Sequence, residues 1–331
     1  MNQNPQKLHE MLFADLKPAM RYQGGDLAAW QKEARQKLKK LLALPEKNTE
    51  DELVIEWTKD HEDYEEIRFS FACEKGYRAP GHLLLPHGVD KPIPMICLQG
   101  HAKGMHVSLG RPKFDEDEED IAGGRDFAVQ ALRQGYAPIA FELRAFGECG
   151  GTEKGPQCAH PAYTALMLGR TLQGERVFDV MRLIDVIQAH FADRVDASRI
   201  GLVGNSGGST CSFYVMALDE RVSLAVVSCA VSSYYDSIIV MQHCPCNYVP
   251  GLAKEFDMGD IACMMAPRPL IVINGRHDPS FPWEASAKQL DIARPVYEGC
   301  GCPDHLVHLI GEEGYRFYPD ISWPEINRLM P

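Results

Sequence analysis

Ser206 sits where a serine can do chemistry. It is the centre of Gly204-Asn205-Ser206-Gly207-Gly208, a G-x-S-x-G pattern. The apolar run Ile200–Val203 precedes it, and a helix-compatible stretch from Ser209 to Leu218 follows. Strand, G-x-S-x-G and helix in that order describe a nucleophile elbow, a turn so tight that only residues without bulk fit at Gly204 and Gly208. A serine hydroxyl attacks a carbonyl once a base takes its proton and a carboxylate orients that base. Elbow scaffolds place these partners in the order Ser, then Asp or Glu, then His. The acid expected here is Asp278, a few residues beyond the apolar run Leu270–Ile273. An oxyanion needs two backbone N–H donors, and Gly207 and His101, just after Gln99-Gly100, are the expected pair.

The elements that must position these residues alternate. Strand-like runs occur at Leu53–Trp57, Glu66–Cys73 and Tyr77–Leu85, the last two joined by a Lys75-Gly76 turn that suggests an antiparallel hairpin. Further runs at Met95–Leu98, Ala137–Leu143, Ile200–Val203, Leu224–Val227, Leu270–Ile273 and Leu306–Ile310 alternate with helical or loop sequence. Helices are expected over Arg125–Arg133 and along the stripe Val177, Val180, Met181, Ile184, Ile187 and Phe191. The expected class is α/β: a mostly parallel sheet with antiparallel edge strands and helices on both faces. Residues 1–50 read as an N-terminal helical extension and 51–331 as the main domain. In the extension Asp26 is the expected N-cap, Leu27, Trp30, Ala34, Leu38 and Leu41 the buried stripe, Lys32, Arg35, Gln36 and Lys39 the polar face, and Pro45 the stop.

Bulk properties exclude several classes. The 331-residue chain carries a net charge of -12, which argues against nucleic acid and against an anionic membrane surface. No apolar run approaches the roughly 20 residues a bilayer requires, and residues 1–7 lack a signal-peptide core, so a cytoplasmic protein is expected. Eleven cysteines, an odd number, read as reduced and mostly buried thiols. Cys244/Cys246 and Cys300/Cys302 are one residue apart, whereas structural zinc sites usually space paired cysteines by two to four. No metal and no cofactor is expected. The run Asp115–Asp120 reads as a solvated loop before a helix.

Five segments in order carry a family resemblance: Gly204–Gly208, Phe141–Gly147, Ala217–Arg221, Cys246–Gly251 and Ala266–Leu270. Together they resemble the α/β-hydrolases related to acetyl xylan esterases and dienelactone hydrolases, from about Trp30 to the C-terminus. The resemblance implies an α/β-hydrolase fold and a cofactor-free serine hydrolase that cleaves esters, often small acyl groups on carbohydrates. The implied partner is a small-molecule ester, such as an acetylated carbohydrate; a homo-oligomer is left open.

One position departs from the family. Its last strand leads into a Gly-Gly-His-like loop that supplies the base, but here Leu306–Ile310 leads into Gly311–Phe317, and Tyr315 stands where that histidine is expected. A phenol, with an unperturbed pKa near 10, stays protonated at neutral pH. His305 precedes the last strand and His308 lies inside it. A histidine from elsewhere (His277, His101, His106 or His243) could serve instead, Tyr315 could act as a weak base or donor, or activity could be weak or lost. Carboxylic-ester hydrolysis is the leading reading. A peptidase or thioesterase on the same fold and a non-catalytic binding protein are the alternatives.

Overall fold

Residues 3–50 and 52–331 are described in the computed structural model, so Met1, Asn2 and Asp51, where the expected main domain begins, lie outside the described residues. Among the described residues the nine strand-like runs become nine strands: β1 (Leu53–Asp60), β2 (Tyr64–Glu74), β3 (Tyr77–Pro86), β4 (Pro94–Leu98), β5 (Ala137–Phe141), β6 (Ile200–Asn205), β7 (Val222–Ser228), β8 (Leu270–Gly275) and β9 (Leu306–Gly311). They join one sheet in the order β1-β2-β3-β5-β4-β6-β7-β8-β9. From β5 through β4 and β6 to β9 every pairing is parallel, while β1, β2 and β3 pair antiparallel and attach to β5. The β2–β3 hairpin turns at Lys75-Gly76, where Gly76 has a φ of 87° that a side chain would resist.

Continuous apolar strands are buried on both faces, as a parallel sheet under two layers of helix requires. All of β6 and β8 is buried. Within β6, Leu202 faces a core shared with the helices Leu27–Leu42, Leu172–His190 and Gly207–Leu218. Its neighbour Val203 faces the opposite core, with Phe127 and with Trp323 of the helix Pro319–Leu329. Side chains of adjacent strand residues point to opposite faces, so one strand serves both cores. The edge strand β1 is exposed along nearly its whole length and carries Glu56, Lys59 and Asp60, charges that discourage pairing with another chain.

Several local expectations shift. The helix Leu27–Leu42 starts as predicted, with Asp26 Oδ1 accepting from the Ala29 N–H at 3.1 Å. Of the expected stripe, Ala34 and Leu38 are fully buried and Leu27, Trp30 and Leu41 are half-buried against the same core, while Gln31 and Leu42 join the buried set. Gln31 turns inward because its amide donates to the Cys263 and Ala266 carbonyls, at 3.2 and 2.8 Å. Arg35, expected on the polar face, donates to the Ala217 and Met264 carbonyls. Strand β5 stops at Phe141, two residues early. The acidic run is not wholly solvated: Asp117 is fully buried, where its Oδ2 pairs with His106 Nε2 at 2.8 Å and accepts from two backbone N–H groups. All eleven cysteines are free and most are buried. Among the described residues no helix is long and apolar enough to cross a membrane.

Candidate active site

At the end of β6 the chain reverses into the helix Gly207–Leu218, and Ser206 takes φ 56° and ψ −128° at the corner. That conformation is rare for a residue with a side chain and marks a strained turn held by its surroundings. The glycines show why. A Cβ on Gly204 would lie 2.9 Å from the backbone of Gly208 and Ser209. Gly100, whose role the sequence reading did not single out, is equally constrained: a Cβ there would come 2.5 Å from Ser206 Cβ and 2.6 Å from the Asn205 carbonyl. The Gln99-Gly100-His101 loop after β4 therefore presses directly on the elbow. Gly207 opens its helix, so its N–H has no acceptor within it. The His101 ring lies against Gly207, with Cε1 only 2.8 Å from where a Cβ would stand. The two residues expected as oxyanion donors are thus neighbours.

Asp278 follows β8 and is 4% exposed. Its Oδ1 accepts from the Ser280 and Phe281 N–H groups at 2.8 and 3.3 Å. Its Oδ2 is buried and has no hydrogen-bond partner. Burial lifts the Asp278 pKa above the usual carboxylate range, and the two backbone N–H groups offset this only in part. The loops after β8 and β9 are tied together by the Arg276 N–H to the Gly311 carbonyl (2.8 Å) and the His277 N–H to the Glu313 carbonyl (2.9 Å).

Tyr315, on the loop after β9, lines the same cavity as Ser206. Burial raises its phenol pKa above the ordinary value, and the nearby Ser206 hydroxyl counters that incompletely. The cavity measures about 420 Å³ and is also lined by Thr210, Met241, His243, Asn247 and Phe281. The Arg125 guanidinium lies 5.6 Å from the Tyr315 ring centre.

The alternative histidines divide by place. His277 is exposed and does not line the cavity, and His106 is committed to Asp117. His305 Nδ1 lies 2.6 Å from the Pro267 carbonyl. His308, inside β9, pairs through Nε2 with Asn274 Oδ1 at 2.9 Å, and burial pushes its pKa down to about 4. Only His101 and His243 line the cavity. His243 Nε2 lies 3.2 Å from Ser237 Oγ, and burial, then the neighbouring His101, lowers its pKa. None of these histidines hydrogen-bonds to Ser206 or Asp278.

His101 has other company. Its Nε2 lies 3.3 Å from Cys246 Sγ, and Cys246 Sγ lies 3.2 Å from Cys244 Sγ. Cys158 completes a group of four whose ligand atoms all fall within 4.8 Å of one another. Of this group the sequence displays only the Cys244-x-Cys246 pair; Cys158 and His101 come from distant segments. Cys300 and Cys302 stay outside it. A second buried group also escaped the sequence reading. Glu142, just beyond β5, accepts from the Met105 and Glu148 N–H groups and so braces the segments that follow β4 and β5. Burial raises its pKa to about 7.

Comparison with known proteins agrees with this architecture. YtaP of Bacillus subtilis, a protein named provisionally as a hydrolase, is 27% identical over 230 residues, 69% of this chain and 74% of its own. A Bacteroides fragilis protein described provisionally as an acetyl xylan esterase superposes with a TM-score of 0.83 at 17% identity, covering 100% of this chain and 96% of that one. A glucuronoyl esterase from Solibacter usitatus superposes with a TM-score of 0.71 at 16% identity, covering 94% and 98%. The family model for the Abhydrolase family matches residues 6–228, the stretch that carries β1 to β7, the elbow and the loop pressed against it. The nine-stranded sheet, the strained serine at the end of β6 and that match lead to one conclusion: the chain belongs to the Abhydrolase family of α/β-hydrolase-fold proteins.

Proposed function

We propose that the protein is a carboxylic-ester hydrolase that cleaves short acyl esters, acetyl groups foremost, through an acyl-enzyme on Ser206. The observation that carries this reading is the strained Ser206 turn, which opens into a cavity of about 420 Å³ beside Tyr315, Gly207 and His101. A cavity of that size is at the small end for ligand sites and suits a short acyl group better than a long chain. The descriptions of the structural relatives as acetyl xylan and glucuronoyl esterases point to the same bond type.

In the proposed reaction Ser206 Oγ attacks the ester carbonyl, and the Gly207 and His101 amides receive the negative charge that develops on oxygen. The serine proton passes through water in the cavity to the departing alkoxide, which leaves as the alcohol; a second water then hydrolyses the acyl-enzyme, releasing the acid and returning a proton to Ser206 Oγ. The weak point is the proton on Ser206. Tyr315 stands in the family's base position, yet its raised pKa keeps the phenol protonated. It therefore donates a hydrogen bond to Ser206 or to substrate rather than accepting the serine proton, and turnover is slow. A second reading, a ligand-binding protein without turnover, is favoured by the unpartnered Asp278 Oδ2, the atom an orienting acid would offer to an imidazole.

Hydrolysis of p-nitrophenyl acetate together with labelling by a fluorophosphonate probe separates the two. The esterase reading expects measurable turnover and a covalent adduct on Ser206, both lost in Ser206→Ala while the circular dichroism spectrum is retained. No adduct on the native protein, or wild-type turnover in the variant, would overturn it.

A further inference from the structure

A cluster beside the elbow asks for an occupant that ester hydrolysis does not supply. His101 comes from the loop after β4, Cys158 caps the helix Ala159–Met167, and Cys244 and Cys246 flank the short turn Pro245–Asn247. Three sequence-distant segments thus deliver one imidazole and three thiols to a space in which all four ligand atoms lie within 4.8 Å. We infer that His101, Cys158, Cys244 and Cys246 form a structural zinc site that locks the oxyanion loop against the elbow.

The donor set is the first argument. Three cysteines and one histidine make a closed tetrahedral set typical of structural zinc, with no position left for substrate. Zn–S bonds of about 2.3 Å place tetrahedral sulfur atoms about 3.8 Å apart. With Cys244 and Cys246 sulfurs at 3.2 Å and every separation within 4.8 Å, closing on an ion takes shifts of about 1 Å or less. The one-residue spacing of Cys244 and Cys246, unusual for zinc, works here because the intervening Pro245 starts a tight turn that turns both sulfurs the same way.

Charge is the second argument, and it comes from a neighbouring residue. Arg176 is fully buried, and its guanidinium donates to the Arg144 carbonyl (2.9 and 2.7 Å) and to Cys158 Sγ (3.1 Å). Its Nη1 is buried without a partner, and among the described residues no carboxylate forms an ion pair with it. A buried cation needs a buried anion. Neutral thiols do not provide one. Three thiolates around a zinc dication leave one net negative charge, which Arg176 neutralises.

The site's position gives it a role. The His101 ring packs on Gly207, and Cys244 and Asn247 line the Ser206 cavity. An ion held here joins the oxyanion loop to the wall of the cavity. The inference stands apart from the esterase reading, because a binding protein would hold the ion equally well.

The test is metal analysis of the full chain produced with zinc and purified under reducing conditions. One equivalent of zinc per chain is expected, falling at least fivefold in Cys246→Ser and in Cys158→Ser and unchanged in Cys302→Ser. Because a cysteine variant could fail to fold, the wild-type protein supplies an independent readout: reconstitution with Co(II) should produce thiolate-to-cobalt charge-transfer absorption and tetrahedral d–d bands. Chelation should also lower the melting temperature of the native protein. Less than a tenth of an equivalent of metal after reconstitution, together with no charge-transfer band, would overturn the inference. So would a disulfide among Cys158, Cys244 and Cys246 in the reduced preparation.

Discussion

At the scale of single residues, the proposed nucleophile Ser206 shares its cavity with a phenol, Tyr315, and the proposed acid Asp278 lies buried on the loop after β8. The buried, unpartnered Oδ2 of Asp278 has the chemistry to receive an imidazole N–H. Tyr315→His offers that imidazole to Ser206 and Asp278. Histidine is no larger than tyrosine, and a Cβ on the adjacent Gly314 would meet nothing closer than 3.6 Å, so the loop accommodates the change. An imidazole with a pKa near 6.5 accepts the serine proton at neutral pH, where a phenol does not. For short acyl esters kcat/KM should therefore rise at least tenfold, with a new ascending limb near that pKa. Measurement from pH 5 to 9 checks this; no gain at any pH would mean that Tyr315, or a histidine such as His243, already does the work.

At the scale of elements, β8 and β9 brace the loop that carries Asp278 through polar side chains inside the sheet. His308 on β9 pairs with Asn274 on β8, whose amide donates to the Phe281 carbonyl in the loop that cradles Asp278. In the fold the His308 pKa is depressed from 6.5 to about 4. Between those values the unfolded chain binds more protons than the folded one, so stability rises with pH across the window. This contribution is complete above pH 6.5 and is lost as pH falls through about 4. His308→Gln retains an N–H donor for Asn274 but does not titrate. Melting temperatures at pH 7.5 and pH 4.5 should differ less in the variant than in the native protein; an equal difference would remove His308 from the acid response.

At the scale of the whole molecule, we propose that the helix Leu27–Leu42 is part of one cooperative unit with the sheet and not an appendage. Leu38 is fully buried and belongs to the same core as Val180 of the helix Leu172–His190 and Leu202 of β6. Leu38→Ala should cost about 2–5 kcal/mol, the usual range for a buried leucine truncated where the site cannot collapse. If the unit is cooperative, calorimetry should show one transition moving to lower temperature. A separate low-temperature transition of the N-terminal segment, with the main one unmoved, would divide the chain in two.

The sequence by itself determined whatever depends on order and local sterics. Nine strand-like runs specified the nine strands of the described residues, and a Lys-Gly turn specified the hairpin. Gly204 and Gly208 specified the strained elbow, because bulk at those positions would collide with neighbouring backbone. Strand sequence also anticipated that the loops carrying Asp278 and Tyr315 would meet at one edge of the sheet, since parallel strands all present their carboxyl ends there. Tertiary structure decided what depends on side chains arriving from distant segments. Gln31 turned inward only because two carbonyls from 263 and 266 awaited it. Asp117 left a charge run because His106 and two backbone N–H groups could replace its water. His101 was read for its backbone N–H and as one of several candidate bases, yet its ring lies with three cysteines drawn from two other segments. No spacing rule in one dimension could reveal that gathering, because the distances that matter to a ligand set are measured through space.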